Sequence, residues 1–239
     1  MIFDIITIFP KIFDSYFNES IIKRAQAKKL VKINIHNLRD YTEDKHQKVD
    51  DRPYGGGFGM VLMVEPILKA VAALRKIKNR SVAKTMERLA CQSGNGGHGR
   101  RQKLKVILLS AKGKKFDQKM ARRFSKLDQL ILICGRYEGI DERVARYIAD
   151  EEVSVGDYIL TGGELPTMII IDTVTRLIPK VIAKGSLEEE SFSREKYIEY
   201  PHYTRPESVK IKGRERKVPK ILISGNHQKI KEWQEKHSR

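Results

Sequence analysis

Three short segments that contain glycine each follow a run of apolar residues, and all three lie within 60 residues of chain. They are "LLSAKG" at 108–113, "ICGRYEGIDER" at 133–143 and "VGDYILTGG" at 155–163. Glycine has no Cβ, so backbone N–H and C=O groups beside it can approach a ligand closely. Backbone groups can hydrogen-bond the edge of an adenine, and the three segments together predict a pocket for such a ligand. Any one of them alone is equally typical of a tight turn.

The common nucleotide-binding signatures are missing from this chain. A Rossmann-type site, including that of the usual methyltransferases, needs a G-x-G turn directly after the first strand. Here the first apolar run, "MIFDIITIF", passes into "PKIFD", and "SAKGKK" lacks the spacing of a P-loop. A nucleotide-like cofactor would therefore be held in another way.

The elements that position these segments are strands and helices, which alternate along the chain and are recognised by the different spacing of their apolar residues. Strands are predicted for residues 2–9, "VKINIHNL", "KVILLSA" and "QLILICG"; helices are predicted for "VEPILKAVAALRKIK", "KKFDQKMARRFSKL", "IDERVARYIAD" and "PTMIIIDTVTRLIP". Alternating buried strands and helices indicate an α/β fold with a mostly parallel sheet. In such a sheet ligands bind beyond the carboxyl ends of the strands, where the three glycine-bearing segments would meet.

Composition shifts along the chain divide it into parts. We predict one domain over residues 1–183, with a basic, glycine-rich insertion over about 79–104. The polar stretch "KGSLEEESFSR" at 184–194 is typical of a linker. Residues 195–239 would form a small, mainly helical C-terminal domain that ends in the basic helix "HQKIKEWQEKHSR".

The chain is strongly basic, with a formal net charge of +17 and a pI near 9.8. Residues 75–126 carry 17 Lys or Arg against two acids, and residues 203–239 carry 11 against four. Two separate basic clusters predict a nucleic-acid partner, although a solvated basic surface would have the same composition. Charge alone does not distinguish RNA from DNA.

We expect a cytoplasmic protein. The longest apolar runs are too short to span a bilayer. The N-terminal apolar stretch contains an Asp and has no basic leader, so it does not resemble a signal peptide. The two cysteines, Cys91 and Cys134, form no paired or metal-binding pattern.

Four motifs occur in a fixed order: "RPYGGGFGM", "CGRYEGIDER", "SVGDYILTGGELP" and "YPHYTRP…SGNH". With them, the chain from Met1 to about Trp233 closely resembles the bacterial tRNA (guanine-N1)-methyltransferases, the TrmD family. The resemblance implies an enzyme that uses S-adenosyl-L-methionine to methylate N1 of the guanine immediately 3′ of the anticodon (position 37) in tRNA. It also implies the SPOUT fold, in which a trefoil knot shapes the cofactor site, and a homodimer with active sites at the subunit interface. Periodicity alone would not predict a knot, because knots are very rare.

The resemblance also assigns cofactor contacts to the three glycine-bearing segments, which would form three walls of the knot pocket. The adenine would be held by backbone groups of Val155, Tyr158 and Leu160. One departure from the family pattern is Ala111, which stands where a proline is common. The expected cofactor contacts are Leu108, Leu109, Ser110, Gly113, Gly135, Tyr137, Glu138, Val155, Gly156, Asp157, Tyr158, Ile159, Leu160, Gly162, Gly163 and Pro166.

Methylation of guanine N1 requires a base near N1 and a hydrogen-bond donor near O6, because loss of the N1 proton moves negative charge onto O6. By resemblance the donor is Arg176. The family usually places an Asp just before "SF", where this sequence has Glu190. We therefore expect Glu190 to be the base, with Glu188 or Glu189 as alternatives if the register of the linker differs.

The loop that contains "DDRPYGGGFGM" lies near the bound nucleoside in the family. Asp50, Arg52 and Tyr54 are therefore candidates for contact with tRNA, and a purely structural loop is the alternative for each. Glu138 is a candidate ligand for Mg²⁺, although a lone carboxylate defines no metal site.

Two other functions stay open at this point. Glu190 in place of Asp, and a chain that ends at Arg239, would also fit a catalytically silent SPOUT-type RNA-binding dimer. A SPOUT methyltransferase that acts on another RNA is the second alternative, against which the "GGELP" and "YPHYTRP" motifs argue.

Overall fold

The computed structural model describes residues 1–75, 103–183, 185–188, 190–195 and 197–239. Most of the predicted insertion at 79–104 therefore lies outside the described residues, as do Cys91 and Glu189. The described chain divides into two compact units, Met1–Val181 and Ile182–Arg239.

The first unit is built on a five-stranded sheet. The described residues of this unit form seven strands: β1 (Ile2–Thr7), β2 (Lys32–Asn37), β3 (Asp50–Asp51), β4 (Val61–Leu62), β5 (Leu104–Lys115), β6 (Gln129–Cys134) and β7 (Glu151–Ser154). The sheet has the order β2-β1-β6-β5-β7 and all its pairs are parallel, while β3 and β4 form a separate antiparallel pair. The predicted α/β fold with a mostly parallel sheet is confirmed.

Helices cover both faces of the sheet. They are α1 (Asp14–Phe17), α2 (Ser20–Ala27), α3 (residues 64–75), α4 (Gln118–Phe124), α5 (Glu142–Tyr147) and α6 (Glu164–Arg176), with 3₁₀ turns at Pro10–Phe13 and Leu38–Tyr41. Asp117 and Asp141 cap α4 and α5, since each side chain accepts a hydrogen bond from a first-turn backbone N–H. Across the described ranges, no helix combines the length and apolarity that crossing a membrane requires.

The core lies on the two faces of the sheet, as the period of two along each strand dictates. On β6, Leu130 and Leu132 pack in one apolar cluster, and Ile131 and Ile133 pack in the other. Every residue of β6 is buried. A strand covered on both faces has a continuously apolar sequence, which is why "QLILIC" shows no alternation of polar and apolar residues.

Strand β5 is longer than the sequence predicts. A strand was predicted for "KVILLSA" at 105–111, but β5 continues to Lys115 and pairs with β7 on both sides of a register shift between Leu109 and Lys114. A Cβ at Gly113 would lie 2.4 Å from the backbone N of Val153. The glycine therefore allows close approach of the two strands.

The second unit contains an antiparallel hairpin and a C-terminal helix. Strands β8 (Ser208–Ile211) and β9 (Arg214–Lys217) are joined at Lys212 and Gly213, whose φ angles of 52° and 74° suit a tight two-residue turn. The sequence reasoning did not predict this hairpin. A 3₁₀ turn at Lys220–Ile223 follows, and then α7 (His227–His237).

Candidate active site

At the edge of the sheet where β6 and β7 end, residues within β5 and residues at and after the ends of β6 and β7 enclose a cavity of about 280 Å³. Its lining comes from three segments, within 108–112, 135–145 and 152–163, and from Pro166 on α6. The cavity thus lies beyond the carboxyl ends of parallel strands, the usual place for a ligand in an open α/β sheet.

The structure brings together almost all of the residues that were predicted to contact a cofactor. Two of them do not line the cavity. Gly113 faces β7, as described above, and the side chain of Asp157 forms an ion pair with Lys115. The roles of the other residues as cofactor ligands remain predictions.

The cavity also has charged lining residues that the sequence reasoning missed. They are Lys112, Arg136, Glu142 and Glu152. Each lies inside or beside one of the three predicted segments, but neither periodicity nor spacing shows which way its side chain points. Lys112 Nζ lies 3.9 Å from Glu142 Oε2, so charges of both signs meet at the cavity.

A buried ion pair lies beneath the cavity. Glu164, in the first turn of α6, is only 2 % exposed, and its carboxylate accepts hydrogen bonds from Thr7 Oγ1 at 2.8 Å and Arg136 Nε at 2.9 Å. Arg136 Nη1 also donates to the carbonyl of Thr161 at 3.3 Å, and its guanidinium lies 4.7 Å from the centroid of the Phe9 ring. This network connects β1, the end of β6 and the start of α6.

Two glycines allow α6 to begin directly against the end of β6. Gly163 N donates to the carbonyl of Gly135 at 2.9 Å, and a Cβ at Gly163 would lie 2.7 Å from Cys134 Cα. A Cβ at Gly162 would lie 2.3 Å from Arg136 Nε. Any larger residue at either position would displace the wall of the cavity.

The thiol of Cys134 lies next to this wall but is not a nucleophile. Burial first, and then the nearby Glu164 carboxylate, raise the pKa of Cys134 far above its usual range. Its Sγ lies 3.2 Å from Thr167 Oγ1 in the core. Because the thiolate is the reactive form, the thiol is inert at neutral pH.

The glycine-rich loop between β3 and β4 is attached to the cavity wall. Glu138 N donates to the carbonyl of Met60 at 3.1 Å, and Leu62 N donates to the carbonyl of Gly139 at 3.0 Å. A Cβ at Gly59 would lie 2.5 Å from Cγ of Glu138. Because Glu138 and Gly139 line the cavity, the loop borders it directly.

The three residues predicted to contact tRNA lie on this hairpin. Asp50 is half-buried on β3, whereas Arg52 and Tyr54 are exposed in the loop. None of the three lines the cavity, which the loop borders at Gly59 and Met60. Their contact with RNA remains a prediction.

Arg176, the predicted hydrogen-bond donor, lies in the first unit but does not line the cavity. Arg176 is the last residue of α6, ten residues after Pro166, which does line it. At 1.5 Å per residue the two positions are about 15 Å apart along the helix. Glu190 is half-buried in the second unit, and Glu188, one of its alternatives, is exposed there.

A metal site is not formed by the described side chains alone. Within those ranges, no three His, Cys, Asp or Glu residues are grouped so that they could hold an ion. Glu138 lines the cavity, but its role as a Mg²⁺ ligand remains a prediction.

Comparison with known proteins gives one consistent result. The family model described as "tRNA (Guanine-1)-methyltransferase TrmD" matches residues 1–239. A "tRNA (guanine-N(1)-)-methyltransferase" of Carboxydothermus hydrogenoformans is 50 % identical over 236 residues, which are 98 % of this chain and 81 % of the relative. One of Caldicellulosiruptor saccharolyticus is 46 % identical over 98 % of this chain and 83 % of its own length. The crystal structure of the tRNA (m1G37) methyltransferase from Aquifex aeolicus superposes with a TM-score of 0.71, at 35 % identity over 98 % of this chain and 87 % of that one.

Proposed function

The chain belongs to the tRNA (guanine-1)-methyltransferase family, TrmD, and from this membership we propose how its residues carry out the reaction. The protein is an enzyme that transfers a methyl group from S-adenosylmethionine to N1 of the guanine at position 37 of tRNA. The function predicted from the four motifs is confirmed. The observation that carries the mechanism is the cavity beyond β5, β6 and β7, which two of those motifs enclose.

We propose that S-adenosylmethionine binds in this cavity, and the chemistry of the lining fits it. Apolar side chains such as Leu108 and Ile140 suit the faces of an adenine, while Lys112 and Glu138 offer opposite charges to the carboxylate and ammonium groups of the methionine part. When bound, the cofactor supplies the methyl group as an electrophile. The proposed contacts are those predicted for the three walls, except Gly113 and Asp157, which do not line the cavity.

The protein's own contribution is to handle the proton and the charge of the guanine. The bound cofactor would supply the methyl group to N1 with cleavage of its S–CH₃ bond, and the carboxylate of Glu190 takes the N1 proton. Negative charge moves onto O6, where the guanidinium of Arg176 donates a charge-assisted hydrogen bond. The thioether product and the neutral methylated base then leave.

We further propose that Arg176 acts in the cavity of a second copy of the chain, within a homodimer. The distance of about 15 Å along α6 exceeds the reach of an arginine side chain, so this Arg176 does not serve the cavity of its own copy. Leu165 and Ile169, one turn apart on α6, are 54 % and 41 % exposed, and apolar surface of this kind is typical of an interface.

The dimer can be tested by complementation. Arg176→Ala and Gly163→Val variants are expected to be inactive separately, the first through loss of the donor and the second through a blocked cofactor wall. If each site combines residues from two copies, mixed dimers regain one intact site and part of the activity. A monomer in sedimentation experiments, or mixtures with no activity, would contradict the proposal.

Several finer assignments belong to the same proposal. Asp50, Arg52 and Tyr54 contact the tRNA near the target guanine, and the basic residues of 203–239 contact its phosphates, which positions the RNA without reading its sequence. The cavity segments form the trefoil knot of the SPOUT fold. Glu138 provides one carboxylate to a Mg²⁺ that keeps most of its water, and the reaction takes place in the cytoplasm.

The activity is tested by following methyl transfer from labelled S-adenosylmethionine to two tRNA transcripts. One carries guanine at position 37 and the other carries adenine there. Label on the guanine transcript alone is expected. Label on both would indicate a methyltransferase with another target, and label on neither, with the cofactor still bound, would indicate a silent RNA-binding protein.

A further inference from the structure

Two aromatic side chains project from the glycine-rich loop beside the cavity. Tyr54 is 101 % exposed and Phe58 is 96 % exposed relative to a free side chain. Tyr54 has a polar hydroxyl, but Phe58 is wholly apolar and was not among the residues that the sequence singled out. A fully exposed phenylalanine next to a binding cavity is a reason to look for a ligand.

The conformation of the loop keeps these rings uncovered. The three residues between them, Gly55, Gly56 and Gly57, have φ angles of 85°, 81° and 122°, a region that other residues rarely adopt. The loop between the rings therefore depends on glycine and offers no side chain that could pack against them. Its C-terminal end is nevertheless anchored, because the carbonyl of Met60 accepts a hydrogen bond from Glu138 N of the cavity wall.

The substrate supplies a ligand with the right chemistry. The target guanine lies in a single-stranded loop and must leave its stack to enter the cavity, so the bases next to it lose a stacking partner. Aromatic side chains replace such partners, since every base has a π-face that can stack on a ring. Arg52, which is exposed in the same loop, provides positive charge for the adjoining phosphates.

We propose that Phe58, together with Tyr54, stacks on an unpaired base of the tRNA next to the target guanine and so holds the anticodon loop open while the guanine occupies the cavity. This inference rests on the proposed function. It makes Phe58 a positioning residue for the RNA, with no role in cofactor binding or in proton transfer.

A pair of variants separates stacking from simple apolar contact. Phe58→Leu keeps an apolar side chain but removes the ring, and it is expected to lower kcat/KM for tRNA about tenfold, mainly through KM. Phe58→Trp keeps an aromatic face and is expected to retain near-normal values. The Kd for S-adenosylmethionine should be unchanged in both. The matched control is Tyr147→Leu, at a tyrosine that is 79 % exposed on α5 and does not line the cavity, and it should have no effect.

Transcripts that lack one base identify the stacking partner. Removing the base before or after the target guanine should lower kcat/KM for the wild type at one of these positions. On that transcript Phe58→Leu should cause no further loss, because the ring has no base left to stack on.

The outcomes separate this inference from the proposed function. Equal activity of wild type and Phe58→Leu, or an equal loss on every transcript, would overturn the stacking role. Weaker cofactor binding by Phe58→Leu would show that the residue supports the cavity wall instead. If the wild type fails to methylate the intact guanine transcript, the proposed function itself is wrong.

Discussion

Truncating the buried pair Arg136–Glu164 should cost far more stability than truncating the exposed pair Arg143–Asp141, although their closest N–O distances are similar. The closest N–O distances are 2.9 Å and 2.7 Å. The side chains of the first pair are 19 % and 2 % exposed, whereas those of the second are 60 % and 23 % exposed. The comparison therefore sets a buried pair joined by one hydrogen bond against an exposed pair joined by two, so a larger loss for the first pair would be due to burial and not to the number of bonds.

The expected losses follow from what each truncation leaves behind. Arg136→Ala leaves the Glu164 carboxylate buried. Of the two side chains described as donating hydrogen bonds to it, Arg136 and Thr7, only the Thr7 hydroxyl remains. Removing one partner of a buried pair costs about 3–5 kcal/mol, and the partial exposure of Arg136 favours the lower end of that range. Arg143→Ala leaves Asp141 open to water, so its effect on stability should be small and well below that of Arg136→Ala.

The free energy of unfolding is measured by denaturant titration at one fixed protein concentration, because any dimer would make stability depend on concentration. Far-ultraviolet circular dichroism is the suitable signal. The single tryptophan, Trp233, lies in the second unit, so its fluorescence would follow the wrong part of the chain.

A double-mutant cycle with Glu164→Gln isolates the coupling between the two side chains. If the pair acts as described, Arg136→Ala should cost much less in the Glu164→Gln background, where no buried charge is left behind. Arg136→Ala should also weaken cofactor binding, because the carbonyl of Thr161 in the cavity wall loses a donor. Equal losses for Arg136→Ala and Arg143→Ala would refute the reasoning.

Three further results are expected. Gly163→Ala places a methyl group under 3.0 Å from backbone atoms and should lower the free energy of unfolding by about 1–3 kcal/mol in denaturant titration. The loss should exceed that of the control Gly135→Ala, whose new Cβ would have ordinary contacts at 3.5 Å. Equal losses would argue against the clash at Gly163. Glu190→Gln should abolish turnover and leave cofactor and tRNA binding nearly intact, whereas the matched Glu188→Gln should keep turnover; activity in Glu190→Gln would mean that the base is elsewhere. Burial acts to raise the pKa of Asp4, but hydrogen bonds from three side chains of β2 and β6 outweigh it and hold the pKa below its usual 3.8. Near these pH values the folded state binds fewer protons at Asp4 than the unfolded chain does. The stabilisation is therefore complete above the unfolded pKa of 3.8 and is lost as pH falls through the lower pKa of the folded state. Asp4→Asn should flatten the acid side of a plot of stability against pH, and an unchanged plot would contradict this role of Asp4.

Where sequence reasoning succeeded, the signal was local and repeated. The apolar runs of β1, β5 and β6 and the helical spacing of α6 follow from contacts between each segment and the core, and such contacts select residues with a fixed period. The cavity segments after β6 and β7 could be predicted because parallel strands bring the segments after them to one edge. The third segment, 108–113, lies within β5.

The sequence reasoning failed mainly where the outcome depends on how segments distant in the chain pack against each other. The extension of β5 depends on how closely β7 approaches it at Gly113, which the spacing of β5 alone does not encode. The β8–β9 hairpin did have a local signal, the Lys212–Gly213 turn after the alternating run "SVKI", but the four charged residues "RERK" of β9 show no alternation and concealed it.

The sequence by itself determined the α/β class, four of the five strands of the sheet, the basic character and the motifs that identify the family, because all of these depend on residue types at short, regular separations. Only the tertiary structure decided which side chains meet. Thr7 and Glu164 are 157 residues apart in the chain yet share a buried hydrogen bond, and Arg176 lies about 15 Å along its helix from the cavity that it was predicted to serve. Distances of this kind are set by how the helices pack on the sheet, and packing depends on all the elements together.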